Sequence, residues 1–419
     1  MIERPRYLDQ LKAFQDKDLV KVVTGVRRCG KSTLLSLMQD ELLRQGVSQE
    51  RVLSFQMESM EFDGIGSYRD LYDIVVERAR GLHHPYLFFD ELQEVSGWER
   101  AINALRVDLD CDIYVTGSNA HLLSSELSTL ISGRYVEVEM LPLTFGEYLR
   151  FRGFERDSSS PGLAQGRDNA IALVGDLFRD YRRYGGFPFL ALSEPDREAH
   201  AAYMRTLYET VVVRDVLERA RRRGERELTN RRLLERVCAF LADNVSNPNS
   251  VNGIAGAMRA EGLVAANDTV DAYISALERA YLFHHVRRYD IKGRELLKTN
   301  GKHYIVDTGL RNWLGGYRDS DQGRMLENIV FLQLVYDGCQ VSTGKLRGGE
   351  VDFVAERGGE RLYVQVTQRM DDADTARREL APLRAIRDNY PKMVVVGGGE
   401  HPVEMDGIRI VDAADYLLG

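Results

Sequence analysis

Residues 25–33 read Gly25-Val-Arg-Arg-Cys-Gly30-Lys31-Ser32-Thr33, and this stretch limits what the chain can fold into more than any other. It lies between an apolar run at 19–24, which reads as a buried strand, and a helical pattern at 34–43. In that strand-loop-helix setting the two glycines let backbone N–H groups curl around phosphates, and the helix N-terminus adds positive potential. Lys31 then reaches the outer phosphate oxygens and Ser32 ligates magnesium. Gly25, Arg28, Cys29, Gly30, Lys31, Ser32 and Thr33 are therefore the candidate nucleotide-binding residues, with Lys31 also catalytic and Ser32 also a metal ligand.

A loop of this kind needs a parallel sheet behind it, and the surrounding pattern supplies one. After an amphipathic opening helix at 7–14, short apolar strands at 52–56, 86–89, 112–116 and 135–138 alternate with helical patterns at 34–43, 68–79 and 98–105. Five strands alternating with helices predict an α/β, doubly covered parallel sheet, the P-loop NTPase arrangement. Tyr86-Leu-Phe-Phe-Asp90-Glu91 ends an apolar strand in two carboxylates. Adjacent acids at a strand end also serve as capping decoration. After a phosphate loop they place Asp90 on the magnesium and Glu91 beside the attacking water as base. The strand at 52–56 intervenes between the two motifs, which marks ATPases with an added strand and a catalytic glutamate rather than simple kinases and GTPases.

The next strand runs into Thr116-Gly-Ser118-Asn119, where a hydroxyl or amide can sense the γ-phosphate or orient water. Thr116, Ser118 and Asn119 are the candidates, although Ser118 or Asn119 fits a helix N-cap equally well. Arg134, in Ser132-Gly133-Arg134, can reach a nucleotide in its own or a neighbouring subunit, or make a surface ion pair. ATP with Mg2+ is the cofactor this set implies. Trp98 is read as packing a helix on the sheet, and His83 and His84 as surface-loop residues.

With 419 residues, 44% of them hydrophobic and 29% charged, the chain is neither collagen-like, low-complexity nor disordered. It has 56 basic and 64 acidic residues, net charge -8, which argues against whole-surface nucleic-acid binding and leaves a local basic face open. Only nine of the basic residues are lysines, so the cluster Arg221, Arg222 and Arg223 partly reflects an arginine-rich habit. Cys29, Cys111, Cys238 and Cys339 are far apart without a C-x-x-C pair and read as reduced thiols. The N-terminus lacks a signal h-region, and no apolar run approaches the ~18 residues of a membrane span. A cytoplasmic protein without a membrane partner is the expectation.

Beyond the sheet, 153–167 holds Ser158-Ser-Ser-Pro-Gly162 with little periodicity and is read as a linker. Helices follow at 170–183 and 197–222, broken by Tyr184-Gly-Gly-Phe-Pro188. Three amphipathic helices at 232–241, 251–258 and 269–280, then strands at 282–289 and 304–306, give a winged-helix order. A helix at 324–335, strands at 340–342, 351–355 and 362–366, a helix at 374–387 and a strand at 393–396 give a separate α/β domain. The expected division is a P-loop ATPase domain at 1–150, a helical connector at 151–230, a winged-helix domain at 231–318 and a small nuclease-like α/β domain at 319–419.

The motifs at Gly25–Thr33, Phe88-Phe-Asp90-Glu91-Leu92, Thr116-Gly-Ser118, Gly133-Arg134 and Leu141-Pro-Leu-Thr-Phe145 resemble those of a large prokaryotic family of AAA-type ATPases with a C-terminal domain of unknown function. Tyr184-Gly-Gly-Phe-Pro188, Lys302-His-Tyr-Ile-Val-Asp307-Thr-Gly-Leu310 and Glu327-Asn328 resemble its later motifs, so the likeness spans essentially the whole chain. The resemblance implies an additional-strand ATPase core, a helical and winged-helix middle, and a last domain like PD-(D/E)XK nucleases. Such a nuclease would use Glu327, Asp352 and an acid-x-lysine on the next strand to hold metal and activate water. Here that strand reads Val364-Gln365-Val366-Thr367: Gln365 brings no charge and Thr367 cannot replace the lysine. The expectation is a retained fold without nuclease activity, in which Asp352 is a strand polar residue.

The third helix of the winged-helix segment carries Arg279 as its single base beside Asp268, Asp271 and Glu278, too acidic for a major-groove reading helix. The leading expectation is a magnesium-dependent ATPase acting as a nucleotide-driven switch or remodelling module, with ATP and ADP as ligands. A DNA or protein client would bind through the C-terminal domains, and a homo-oligomer is compatible with the sequence. The two rival readings are a DNA-associated protein tuned by ATP and an ATP-gated metal-dependent nuclease.

Overall fold

The computed structural model describes residues 2–118, 131, 133–157, 159–166, 170–218, 220, 228–297, 301–347 and 349–419. Two compact units are distinguished: residues 1–140 with 279–281, and residues 141–278 with 282–419.

The first unit opens with α1 (Pro5–Ala13), β1 (Val20–Thr24), α2 (Lys31–Arg44), β2 (Val52–Gln56), α3 (Tyr68–Ala79), β3 (Tyr86–Asp90), α4 (Trp98–Asp108), β4 (Asp112–Thr116) and β5 (Tyr135–Glu139). The strands form one parallel sheet in the order β2-β3-β4-β1-β5. The central strands are buried on both faces, which is why β1, β3 and β4 read as continuous apolar runs. Phe55, Phe89, Val22 and Val115 form the core with Leu71, Val75, Ile102 and Leu105 of α3 and α4. Trp98 packs into that core as expected. The intervening strand at 52–56 lies between the two acidic and glycine motifs only along the chain: in the sheet it is the edge, and β4 is what separates β1 from β3. Lys21 sits fully buried in the middle of β1, where its ammonium meets Asp112. Asp112 also accepts from the Tyr114 hydroxyl at 2.8 Å and from the Asp16 N–H at 3.0 Å.

The second unit begins with α5 (Phe145–Phe151), started by a capping box between Thr144 and Glu147. The stretch expected as a linker instead holds β6 (Phe154–Arg156) and β7 (Leu163–Gly166), which form a three-stranded antiparallel meander with β8 (Ile171–Leu173). Its strands are only three or four residues long and mostly half-buried or exposed, too short to set up a readable alternation in the sequence. Ser158 lies outside the described residues. The helix expected from 170 starts only after β8, as α6 (Val174–Tyr184), and ends where Gly185 takes φ 81°. α7 (Pro188–Ala191) opens on the proline, and α8 (Arg197–Tyr208) continues as a π-helical stretch, Glu209–Glu218, rather than as one α-helix to 222. Arg221, Arg222 and Arg223 lie outside the described residues.

Then come α9 (Arg231–Asp243), β9 (Pro248–Asn249), α10 (Val251–Ala260), α11 (Asn267–Arg279), β10 (Phe283–Val286), β11 (Arg288–Asp290), β12 (Glu295–Leu296) and β13 (Gly301–Ile305). β10, β13 and β9 make a small antiparallel sheet. After α12 (Thr308–Gly315) and α13 (Gln322–Tyr336), the chain adds β14 (Gln340–Leu346), β15 (Gly349–Arg357), β16 (Glu360–Thr367), α14 (Ala373–Ala385), β17 (Lys392–Val396), β18 (Glu404–Met405), β19 (Ile408–Asp412) and α15 (Ala413–Leu418). These strands join β11 and β12 in an eight-stranded mixed sheet, β12-β11-β14-β15-β16-β17-β19-β18. Leu380 and Leu383 of α14 cover one face over Val354, Tyr363 and Val394, while Phe331 of α13 meets Phe353 on the other.

Three distant motifs meet in this unit. Asp307 accepts from the Gly186 N–H at 2.7 Å and from the Leu310 N–H at 2.8 Å, closing the 184–188 turn and capping α12 together. Gly309 approaches Tyr184 so closely that a Cβ would strike its carbonyl. The Asn312 amide donates to the carbonyls of Arg182 and Arg183 at 3.1 and 3.0 Å, occupying acceptors that the end of α6 leaves over. The Asn328 carboxamide accepts from Ile305 N–H and donates to Ile305 C=O, both at 2.8 Å, doing for β13 what a further strand would do.

Candidate nucleotide site

Because β1, β4 and β3 are parallel neighbours, their C-terminal ends come out at one edge of the sheet, with Val23 in register with Thr116 and Phe89 with Val115. The glycine loop leaves β1 at that edge and delivers the chain to α2. Gly25 (φ 134°) and Gly30 (φ 107°) take positive-φ conformations that favour glycine, and a Cβ on Gly25 would also collide with the Met140 carbonyl, so Gly25 is required by space as well as by backbone and Gly30 by backbone. Gly30 is also the N-cap of α2, so no side chain closes that helix start. Buried Lys31 donates from Nζ to the carbonyls of Gly25 (3.0 Å) and Val26 (3.1 Å), holding the ammonium inside the loop. Buried Arg4 donates to the Cys29 carbonyl at 3.1 Å and braces the loop from below. The Cys29 side chain is itself fully buried, and burial pushes its thiol up. Arg28 has φ 63°, and Ser32 and Thr33 face solvent at the first turn of α2.

Asp90 and Glu91 emerge beside this loop and are tied to β4. The Thr116 hydroxyl donates to Asp90 Oδ1 and accepts from the Glu91 N–H at 3.0 Å. The Ser118 hydroxyl donates to Glu91 Oε2 at 3.2 Å, and the Gln93 amide donates to the same oxygen. Glu91 is held at φ 52°, a sparsely populated conformation for a side-chain-bearing residue. Ser118 is thus engaged with Glu91. Gln93 was missed by the sequence reading: one polar residue in a short turn carries no pattern. On the other flank, the Thr24 hydroxyl donates to Glu137 at 2.7 Å, and burial pushes Glu139 up to about 7.

The structure brings Gly25, Arg28, Cys29, Gly30, Lys31, Ser32, Thr33, Asp90, Glu91, Thr116 and Ser118 to one edge. Asn119 lies outside the described residues, as does Ser132. Arg134 is not with them: its carbonyl accepts from Val20 N–H at 3.0 Å at the opposite end of β1, about four residues, or ~13 Å of strand, from the loop. A reach into its own loop does not fit that placement.

The residues expected of a nuclease-like centre, Glu327, Asp352, Gln365 and Thr367, lie in the second unit. Glu327 of α13 and Asp352 of β15 do converge, but on Lys302 of β13, whose Nζ lies 3.1 Å from Glu327, 2.7 Å from Glu350 and 3.7 Å from Asp352. The Tyr304 hydroxyl donates to Glu327 at 2.7 Å and Val366 N–H to Asp352 Oδ2 at 2.9 Å. Gln365 turns away from the carboxylates, accepting from Asp352 N–H at 3.3 Å and donating to Glu379 at 3.2 Å. Thr367 donates to the Arg369 carbonyl. Burial acts to lower the Lys302 pKa, but Glu327, Asp352 and Glu350 outweigh it and hold the ammonium charged. Among the described residues no group of three His, Cys, Asp or Glu is arranged to hold a metal ion. Lys302 could not be picked out from sequence, because its strand is otherwise an ordinary buried one and its partners lie 25 or more residues away.

A five-stranded parallel sheet with a glycine loop, an invading lysine and a paired-acid strand end at one edge is a P-loop NTPase fold, and the first unit is an AAA-type ATPase domain. Residues 17–149 match the family described as an AAA domain, and residues 175–321 match a domain of unknown function. An uncharacterized protein of Haemophilus influenzae is 38% identical over 420 residues, covering 100% of this chain and 99% of that one. An uncharacterized protein of Methanocaldococcus jannaschii is 26% identical over 388 residues, covering 90% and 81%. The chain belongs to this family of proteins joining an AAA domain to a domain of unknown function. Among solved structures, the Aeropyrum pernix ORC1 protein in complex with DNA is similar at TM-score 0.32 and 14% identity, covering 75% of this chain and 92% of that one. AMPPCP-bound DnaA from Aquifex aeolicus is similar at TM-score 0.27 and 16% identity, covering 66% and 88%. Among the described residues no helix is long and apolar enough to cross a membrane.

Proposed function

We propose that the chain is a magnesium-dependent ATPase whose nucleotide state is read out by its C-terminal half as a switch or remodelling module. The observation that carries this reading is the hydrogen-bonded line from Ser118 and Gln93 through Glu91 and Thr116 to Asp90, set beside a loop that opens on Gly25, where a Cβ would strike the Met140 carbonyl. That cradle and donor set fit a nucleotide triphosphate with its metal. Bound ATP would supply the γ-phosphoryl bond, and bound Mg2+ the Lewis acid that neutralises its oxygens. Lys31 would exchange its two loop carbonyls for phosphate oxygens, Ser32 and Asp90 would hold the metal, and Glu91 would take the proton from the attacking water. Ser118 and Gln93 orient the Glu91 carboxylate, and Thr116 fixes its distance from Asp90. Arg134 is left with a role across a subunit boundary or at the surface.

Equilibrium ATP binding and phosphate release on two variants test the reading. Lys31→Ala is expected to lose tight binding. Glu91→Gln is expected to keep binding while hydrolysis slows about a hundredfold or more, the size of a lost general base. Hydrolysis at the parental rate in Glu91→Gln would assign the base elsewhere.

A further inference from the structure

The nuclease-like centre of the second unit already contains a cation. We infer that the Lys302 ammonium is the resident cation of the Glu327, Glu350 and Asp352 cluster, standing where a nuclease of this fold would hold its divalent metal, so that the centre is a metal-independent clasp and not a catalytic site. This reading is independent of the ATPase reading above.

The geometry supports it in three ways. Lys302 has three N–H donors, and carboxylate oxygens of three different side chains lie 2.7, 3.1 and 3.7 Å from its nitrogen. Its side chain is 5% exposed and cannot swing into water without leaving the sheet, unlike a surface lysine that visits an acid. Other donors also reach the three carboxylates: Tyr304 donates to the Glu327 oxygen that faces Lys302, Val366 N–H binds the far oxygen of Asp352, and the Arg288 guanidinium lies 3.8 Å from the far oxygen of Glu350. A divalent ion at the same point would sit within about 3 Å of a fixed positive charge and would have to displace it, which the buried setting opposes strongly. The position that would complete a metal shell from the next strand is Gln365, which is committed to the Asp352 backbone and to Glu379.

The arrangement also gives Lys302 a mechanical role. Its neighbour His303 faces the other way, with Nδ1 2.9 Å from Asn249 and Nε2 3.2 Å from Glu278 of α11. β13 therefore joins the small three-stranded sheet to the eight-stranded one through successive side chains pointing in opposite directions. The nuclease-type carboxylates serve as the anchor for one side of that joint.

The test uses the nucleotide-free full-length protein and manganese as probe. Mn2+ uptake followed by electron paramagnetic resonance, thermal unfolding with and without Mn2+, and cleavage of plasmid DNA are compared in the parent, Asp352→Asn, Lys302→Met and the double variant. Parent and Asp352→Asn should take up the same Mn2+ and cut no DNA. Lys302→Met should unfold several degrees lower in chelator, recover with Mn2+, and gain one bound Mn2+ per chain that the double variant lacks. If Lys302→Met does not fold even with Mn2+, the parent and Asp352→Asn pair decides by itself: equal uptake supports the inference. A parental Mn2+ site lost in Asp352→Asn overturns it, as do DNA cleavage that depends on Asp352 and a folded Lys302→Met that gains no Mn2+.

Discussion

At the scale of single residues, the chemistry rests on groups whose neighbours fix their charge or direction. Glu139, at the end of β5, is the clearest case, because burial pushes it up to about 7 from an ordinary value of 4.5. Between those two values the folded chain keeps a proton that the unfolded chain has released, so raising the pH favours unfolding through this window and not outside it. Stability of the first unit is expected to fall by up to about 3 kcal/mol from pH 4.5 to 7 and then level off. Urea unfolding at pH 5 and pH 8 checks this: Glu139→Gln should lose the slope and be the more stable protein at pH 8. The loop glycines, Lys31, Asp90 and Glu91 were all legible in the sequence, since a phosphate loop needs its residues at fixed spacing next to one another. Gln93, Arg4 and Lys302 were not, because each acts through a partner that only folding brings near. Arg134 was legible as a candidate, but the bond from Val20 N–H to its carbonyl places it just before β5 (Tyr135–Glu139), at the end of the parallel strands opposite the loop.

At the scale of elements, burial on two faces makes β1, β3 and β4 readable, while β6 and β7 look like a linker and β8 like the start of a helix, because strands of three or four residues leave no periodic trace. The strand order was not readable at all, since both β2 and β4 are short apolar runs and only pairing tells edge from centre. Asp112 of β4 meets Lys21 of the neighbouring β1 with both side chains almost fully buried. Removing one member of such a pair strands the other in a dry sheet. Asp112→Ala is expected to destabilise the first unit by about 3–5 kcal/mol, whereas replacing both residues with apolar ones of similar volume should cost far less or nothing. Chemical denaturation of the two singles and the double gives the coupling directly. The pair also pins register: a one-residue slip of β4 along β1 would turn Asp112 to the opposite face and away from Lys21.

At the scale of the whole molecule, a switch must bias some element through contacts that differ between two nucleotide states. Hydrogen exchange is expected to differ between ADP and a non-hydrolysable ATP analogue in the β7 to β8 meander and in the 184–188 turn. A tenfold shift needs only about 1.4 kcal/mol of differential affinity. Identical protection in both states from residue 141 to the C-terminus would leave the ATPase uncoupled and end the switch reading. The bond from Asp307 to Gly186 has a further consequence for how the protein is made. All five strands of the first sheet have been synthesised by residue 139, so that sheet can form while the ribosome is still working. The 184–188 turn must wait, with its helix end uncovered, until 121 more residues deliver Asp307. The second half of this protein is therefore a late assembly, exposed during translation over just the interval in which a chaperone would have to guard it.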